Sequence, residues 1–403
     1  MGNTIQNCMR AEGLPTKVLD EDLREYAEER AAAIRAVLKA SLLCRKVQES
    51  LVSEETIEKK DRSPVTVADF AAQAVIISEL TKAFPRYPFI AEENSKALAE
   101  QEDLRKKVWS HVHQVLPYLE EEKLLETIDK GKNKKIDSDT KLWWTIDPVD
   151  GTLGFLRKGQ YAVCLALMED NEPVLGVLGC PNLSFRRPAA ANKKENTTEQ
   201  EEGKGKEVEG SSSSEQQQES NKEDEGEEKN GCLLVAVRGQ GAFIRDFDSD
   251  EEYAIHTSDI TSTAEANFTE SFESSHSSHG ASAEIAKRLQ VSKEPIRIDS
   301  QCKYALIARG EASIYLRLSS SNYQEKIWDH AAGVVIVKEA GGEVCDLKGE
   351  KLDFGMGRTL SRNQGVVATN GKIHEEVMRV VQEVLAEEQK EQEAAKKKDE
   401  KAE

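Results

Sequence analysis

Nothing in this chain of 403 residues approaches the apolar run of about 20 residues that a membrane-spanning helix requires. The first residues carry no signal-peptide core either, so a protein without a membrane partner is expected. Met1-Gly2 with Cys8 matches only part of the acylation pattern, because Gln6 stands where Ser or Thr is preferred. Cysteine is sparse and unpatterned: seven residues, an odd number, with no Cys-x-x-Cys pair. That argues against a disulfide framework, and several of the seven sit in apolar strand-like runs where free Cys behaves as a small hydrophobe. A reducing, cytoplasmic setting is implied. Basic residues are in deficit, with 55 Lys and Arg against 74 Asp and Glu and a net charge of −19. A surface for nucleic-acid polymers needs clustered Lys and Arg, so that class of partner is not expected.

The acidity is unevenly spread. Residues 192–230 hold thirteen Asp and Glu against six Lys, a net of −7 out of −19, with runs of Ser and Gln and no aromatic residue. Such a segment cannot bury enough surface to offset its ordering entropy, which predicts a disordered acidic insertion over 189–230 between strands at 173–181 and 231–238. A partner that docks on this charge is the sharper alternative. Elsewhere, apolar periodicity predicts helices over 23–51 and 70–84, and strands at 143–146, 161–168, 174–180, 233–237 and 241–245. These read as a largely antiparallel sheet covered by helices. After residue 268, strands at 296–298 and 313–318 alternate with helices at 283–289, 304–309 and 329–340, an α/β pattern. The expected organisation is a flexible extension 1–20, an α+β subdomain 21–267, an α/β subdomain 268–386, and a charged tail 387–403 that is a fraying helix or disordered.

The most informative stretch is Trp144-Thr-Ile-Asp147-Pro-Val-Asp150-Gly-Thr152, which sets two carboxylates three residues apart between a Pro and a Gly. Oxygen-rich clusters with positions left for water and phosphate suit Mg²⁺. A plain hairpin turn would use the same residue types. Three further acidic sites shift the balance toward metal chemistry. Asp69 opens a helical segment, where N-capping alone would explain it. Glu92 and Glu93 end a short apolar strand. Asp329, in Ile327-Trp-Asp-His-Ala-Ala-Gly333, opens another helix, where a carboxylate is favoured electrostatically in any case.

Taken in order, these four elements resemble the lithium-sensitive, metal-dependent phosphomonoesterase superfamily that includes inositol monophosphatase and fructose-1,6-bisphosphatase. Ser63-Pro-Val-Thr-Val-Ala-Asp69, Gly154-Phe-Leu-Arg-Lys-Gly-Gln-Tyr-Ala-Val-Cys164, Ser274-Ser-His-Ser-Ser-His279, Asp299-Ser-Gln-Cys-Lys303 and Tyr323-Gln-Glu-Lys326 narrow the likeness to the fungal and plant 3′(2′),5′-bisphosphate nucleotidases. The resemblance spans about residues 23–385 apart from the insertion, and implies a layered αβαβα sandwich.

It further implies that Glu92, Asp147, Asp150 and Asp329, with the Val149 carbonyl, hold two or three Mg²⁺ ions, and that Asp69 and Thr152 polarise the attacking water. Li⁺ and Na⁺ are expected to inhibit. His276, Ser300, Lys303 and Arg317, together with Thr152 and Asp329, would contact the substrate. Without the resemblance, Lys303 reads as a solvated helix residue and Arg317 as a strand-end surface charge. The implied reaction is hydrolysis of adenosine 3′,5′-bisphosphate to AMP and phosphate. Action on 3′-phosphoadenosine 5′-phosphosulfate and on the 2′,5′-bisphosphate would accompany it, in a setting of sulfate assimilation and salt tolerance. The alternatives are an inositol polyphosphate 1-phosphatase or inositol monophosphatase, and a catalytically weak nucleotide-binding regulator. Two positions depart from the nucleotidase pattern: Leu153 where Lys is usual, and Ala91 where Gly is usual. If position 91 needs a positive φ, its methyl group would strain the turn.

Overall fold

The computed structural model describes residues 25–50, 56–58, 64–188, 230–272, 279–319 and 323–399. The expectations for the extension 1–20, for His276 and for nearly all of the insertion lie outside them. In chain order the elements are α1 (Ala27–Ser50), β1 (Thr56–Glu58), β2 (Pro64–Thr66), α2 (Val67–Ala83), β3 (Phe89–Ala91), α3 (Lys96–Glu100), α4 (Glu102–Val115), α5 (Glu121–Asp129), β4 (Leu142–Asp150), α6 (Thr152–Leu156), β5 (Ala162–Glu169), β6 (Glu172–Ser184), β7 (Asn230–Val237), β8 (Ala242–Asp246) and β9 (Tyr253–Ile255). There follow β10 (Phe268–Glu270), α7 (His279–Arg288), β11 (Ile296–Arg297), α8 (Cys302–Ala308), β12 (Ile314–Arg317), α9 (Ala331–Glu339), β13 (Glu343–Cys345), β14 (Val366–Thr369) and α10 (His374–Asp399).

Strands β3 to β9 form a seven-stranded sheet in sequence order, antiparallel except for the β3–β4 pair. Strands β10 to β14 form a five-stranded mixed sheet in the order β11-β10-β12-β14-β13. Both faces of the larger sheet are buried, and period-2 alternation sorts its side chains into two cores. Val163, Leu165 and Leu167 of β5 join the core under α1 and α2, while Ala162, Cys164, Ala166 and Met168 join the one under α8 and α9. The smaller sheet sends Tyr315, Val366 and Ala368 into that same middle core. Its other face, with Ile314, Leu316 and Val367, packs on Ile285 of α7 and on Val377 and Val381 of α10. The layers are therefore α, β, α, β, α. Gly333 lets α9 press on the Tyr304 ring, since a Cβ there would lie 2.3 Å from Cδ2.

Several local expectations change. The insertion ends one residue earlier than expected, because Asn230 already pairs with Ser184 across the β6–β7 ladder. Residues 387–399 continue α10, the helical of the two expectations for the tail. Helices α3 to α5, absent from the sequence reading, occupy the charged stretch between β3 and β4. No helix among the described residues is long and apolar enough to cross a membrane.

Candidate functional site

The Asp-Pro-Val-Asp run is the end of β4 and not a hairpin turn. Pairing with β5 persists to Asp150, with a register shift between Asp147 and Asp150. Pro148 lacks the N–H that a regular ladder uses, and a bulge at this point re-aims the neighbouring side chains. The chain then turns at Gly151, whose φ of 84° is in the left-handed region and whose missing Cβ would come within 3.0 Å of Ser300 Cβ. Ser300 is itself left-handed, at φ 66°. A non-glycine residue in that region marks backbone strain held by its surroundings.

This turn forms one wall of a cavity of about 290 Å³. Glu92, Asp147, Val149, Asp150, Thr152 and Asp329 all line it, as do Ser300, Lys303 and Arg317. Glu93 does not; its backbone is tied to the Gln73 side chain of α2 by two hydrogen bonds of 2.9 Å. Asp69 is also absent from the wall. It lies fully buried in the first turn of α2, which begins at Val67, so N-capping does not explain it. Its charge still reaches Asp147.

Carboxylates outnumber cations along the cavity, with Glu92, Asp147, Asp150, Asp299 and Asp329 against Lys303, Arg317 and Lys326. Burial, followed by the charges of Glu92, Asp150, Asp329 and Asp69, pushes the Asp147 carboxyl well above its ordinary range. Its Oδ1 is buried with no hydrogen-bond partner among the described residues. Burial and Asp150 likewise push Asp329 up, opposed by Arg317. Burial raises Asp150 to about 6 even though Lys303, the Gln301 N–H and Arg317 all act to lower it. That N–H donates to Asp150 Oδ2 at 2.5 Å. A hard divalent cation answers both needs, the orphaned oxygen and the uncompensated negative charge. The donor set therefore fits Mg²⁺.

Two cations line the same cavity. Lys303 is only 3% exposed, contrary to a solvated helix residue, with Nζ 5.5 Å from the centroid of the Tyr315 ring. Burial brings its pKa down to about 8 against the pull of Asp150. Arg317 Nε pairs with Glu325 Oε2 at 2.7 Å, so it is held and not a free surface charge. Tyr323 stands 5.7 Å from its guanidinium carbon.

Glu325, Asp329 and His330 bring ligand atoms within 4.8 Å of one another. Their hydrogen bonds give this group a different character. Glu325 accepts from Ser319, pairs with Arg317 and lies 3.2 Å from His330 Nε2, while His330 Nδ1 lies 2.7 Å from Tyr304 Oη. Burial would raise the Glu325 carboxyl, but His330, Arg317 and Ser319 overcome it and hold the pKa near 2. The network braces Arg317 and Asp329.

Two residues that the sequence reading gave no role also shape the site. Gln301 donates from Nε2 to the Trp328 carbonyl at 2.7 Å and accepts from Gly333 N–H at 2.9 Å, tying Asp150 to the segment that carries Asp329. Arg358 donates from Nη2 to the carbonyls of Ala91 and Glu92 at 2.8 and 3.1 Å. Contacts to backbone carbonyls leave no motif behind. The two departures from the family pattern are accommodated. Ala91 lies in β3 without a positive φ. Leu153 is 43% exposed at the cavity rim.

The model of the Inositol monophosphatase family, a family of phosphatases, matches residues 25–386. The chain belongs to that family, which is metal-dependent. Among similar proteins, a 3′(2′),5′-bisphosphate nucleotidase of Dictyostelium discoideum is 43% identical over 86% of this chain and 94% of its own length. One of Schizosaccharomyces pombe is 37% identical over 88% and 94%. The Thermotoga maritima IMPase structure superimposes with a TM-score of 0.56 at 22% identity, covering 89% of this chain and 99% of that one.

Proposed function

We propose that the chain is a Mg²⁺-dependent 3′(2′),5′-bisphosphate nucleotidase that removes the 3′-phosphate of adenosine 3′,5′-bisphosphate. The observation that carries this reading is one cavity lined both by carboxylates, Glu92, Asp147, Asp150 and Asp329, and by two cations, Lys303 and Arg317. A substrate with one phosphate for a carboxylate-bound metal and a second for the cations matches that lining. The names of the similar nucleotidases support the same substrate class.

In this reading the four carboxylates and the Val149 carbonyl hold the metal, which when bound neutralises phosphate charge and lowers the pKa of a coordinated water. Thr152 sits on the cavity wall, where its hydroxyl, now 3.3 Å from the Val149 carbonyl, orients the attacking water. Asp69, buried behind the cavity wall, acts on that water through the negative charge it adds near Asp147. Lys303 and Arg317 hold the second phosphate, with Ser300 beside them in the cavity lining. Catalysis then rests on positioning and charge, with no covalent enzyme intermediate required.

Phosphate release from adenosine 3′,5′-bisphosphate, its 5′-phosphosulfate counterpart and inositol 1,4-bisphosphate, each with Mg²⁺ and again with EDTA, tests the proposal. The nucleotide should be preferred and EDTA should abolish turnover. A preference for the inositol bisphosphate would overturn the substrate assignment, and full turnover in EDTA the metal assignment.

A further inference from the structure

Away from the cavity, the end of β13 and the first turns of α10 bring three soft donors together. Cys345 Sγ lies 3.4 Å from His374 Nε2 and 3.5 Å from Met378 Sδ. His374 and Met378 are four residues apart on α10 and so share one face of it. The other imidazole nitrogen, Nδ1, lies 3.0 Å from Thr369 Oγ1, which also accepts from the Gly371 N–H at 3.2 Å. None of these residues lines the phosphate cavity.

We propose that Cys345, His374 and Met378 form a three-donor site for a soft monovalent cation of the Cu(I) type. Thiolate and thioether sulfur favour Cu(I), whereas the carboxylate and carbonyl oxygens of the cavity favour Mg²⁺, so the two sites select different ions. With donors about 2.0 Å (nitrogen) and about 2.3 Å (sulfur) from a trigonal centre, nitrogen and sulfur stand about 3.7 Å apart and two sulfurs about 4.0 Å, so the 3.4 and 3.5 Å that separate Cys345 from His374 and Met378 need open by only about half an ångström or less. Zn²⁺ would call for a fourth donor. Thr369 supplies the outer support that ligating histidines use: with Nδ1–H donated to Oγ1, the Nε2 lone pair faces Cys345.

Binding needs no redox step. The Sγ–H bond of Cys345 breaks, its proton passes to solvent, and a sulfur–metal bond forms while the metal keeps its oxidation state. Burial, with Asp346 and Glu343, pushes the Cys345 thiol up to about 12, and burial pushes the His374 imidazole down. The empty site therefore carries a thiol and a neutral imidazole at neutral pH. Glu343, Glu375 and Lys338 are the charges that face His374. Since the proton must leave, affinity should rise with pH. His374 is half-buried, giving the ion a way in past Cys345 and Met378, which are 6% and 8% exposed.

The test is anaerobic titration of the full chain with Cu(I) against a chromogenic Cu(I) chelator, repeated with Ag(I) as a redox-inert probe. Met378→Leu keeps side-chain volume, and both it and His374→Gln keep all seven cysteines. Wild type should take up one equivalent that resists the chelator. Each variant should bind at least tenfold more weakly, and X-ray absorption should report two sulfur and one nitrogen neighbours. Undiminished binding in both variants, sulfur-only coordination, or no chelator-resistant equivalent in wild type would overturn the site. Wild-type melting with and without Ag(I) provides a reading that does not depend on any variant folding.

Discussion

Arg358 reaches across the cavity rim to Trp328, placing its guanidinium carbon 4.4 Å from the ring centroid while Nη2 donates to the Glu92 carbonyl at 3.1 Å. One side chain thus joins the strand end that presents Glu92 to the short 3₁₀ turn, Ile327–Asp329, that presents Asp329. Two carboxylates from separate elements keep their spacing through it. Arg358→Ala should raise the Mg²⁺ concentration for half-maximal activity roughly tenfold, in line with the loss of supporting contacts around metal ligands. Arg358→Lys keeps the charge but loses the planar fork, and should recover only part of the activity. Unchanged Mg²⁺ dependence in the alanine variant would remove this role.

Asp147→Asn should lower turnover by about 10²–10³, the scale of losing one preorganised electrostatic element. The same change should raise the melting temperature of the metal-free protein at pH 8, because Asn carries no ionisation penalty at a site crowded by Glu92, Asp150, Asp329 and Asp69. Opposite signs for activity and stability distinguish a functional carboxylate from a structural one. A variant that loses both would show that Asp147 serves the fold. Glu92→Gln should cost far more activity than Glu93→Gln, since only Glu92 lines the cavity.

The pH dependence of stability has a definite sign. Asp150 is raised from 3.8 to about 6, so the folded chain binds its proton more tightly than the unfolded chain does. That contribution is fully present below pH 3.8 and is lost as pH rises through about 6. Glu325 runs the other way: its pKa near 2 against an ordinary 4.5 gives stability present above pH 4.5 and lost as pH falls toward 2. In EDTA, melting temperatures should therefore lose the Asp150 contribution between about pH 4 and pH 7. Saturating Mg²⁺ should stabilise the chain more at pH 8 than at pH 5.5, because protons compete for the same oxygens. Calorimetry with and without Mg²⁺ at both values checks it, and an equal gain at both would contradict the raised carboxyls.

What the sequence makes legible follows from how local its cause is. Asp147 and Asp150 stand out because Pro148 and Gly151 constrain the backbone within a few residues of them. Strand β5 stands out because a run of apolar residues buried on both faces has few other uses. Gln301 and Arg358 leave no such trace, since each acts on backbone carbonyls more than 25 residues away. Lys303 misleads for a related reason: α8 is buried all round, a tertiary fact that a lysine at its start gives no hint of. Helices α3 to α5 escape because their apolar faces are narrow stripes in charged segments, visible only once Leu104, Val108, Val112, Leu124 and Ile128 meet the core.

The last prediction concerns Lys303 and Arg317. If they hold the phosphate that is not cleaved, neutralising either should damage hydrolysis of adenosine 3′,5′-bisphosphate much more than hydrolysis of the 3′-monophosphate. A charge-assisted contact contributes about 1.5–3 kcal/mol, and each 1.4 kcal/mol is about tenfold, so the ratio of kcat/KM for the two substrates should fall by roughly ten- to a hundredfold. Arg317→Ala also strands Glu325, which loses the partner at 2.7 Å and keeps His330 at 3.2 Å. That disturbance reaches Asp329 and so depresses both substrates alike. The ratio cancels it, whereas the absolute rate does not. Lys303→Met removes the charge, and with it the ammonium over the Tyr315 ring, without breaking a direct ion pair like that of Arg317 with Glu325. Equal proportional losses on both substrates in both variants would reject the second-phosphate pocket. A changed ratio in Arg317→Ala alone would assign that phosphate to Arg317 and leave Lys303 the task of balancing Asp150.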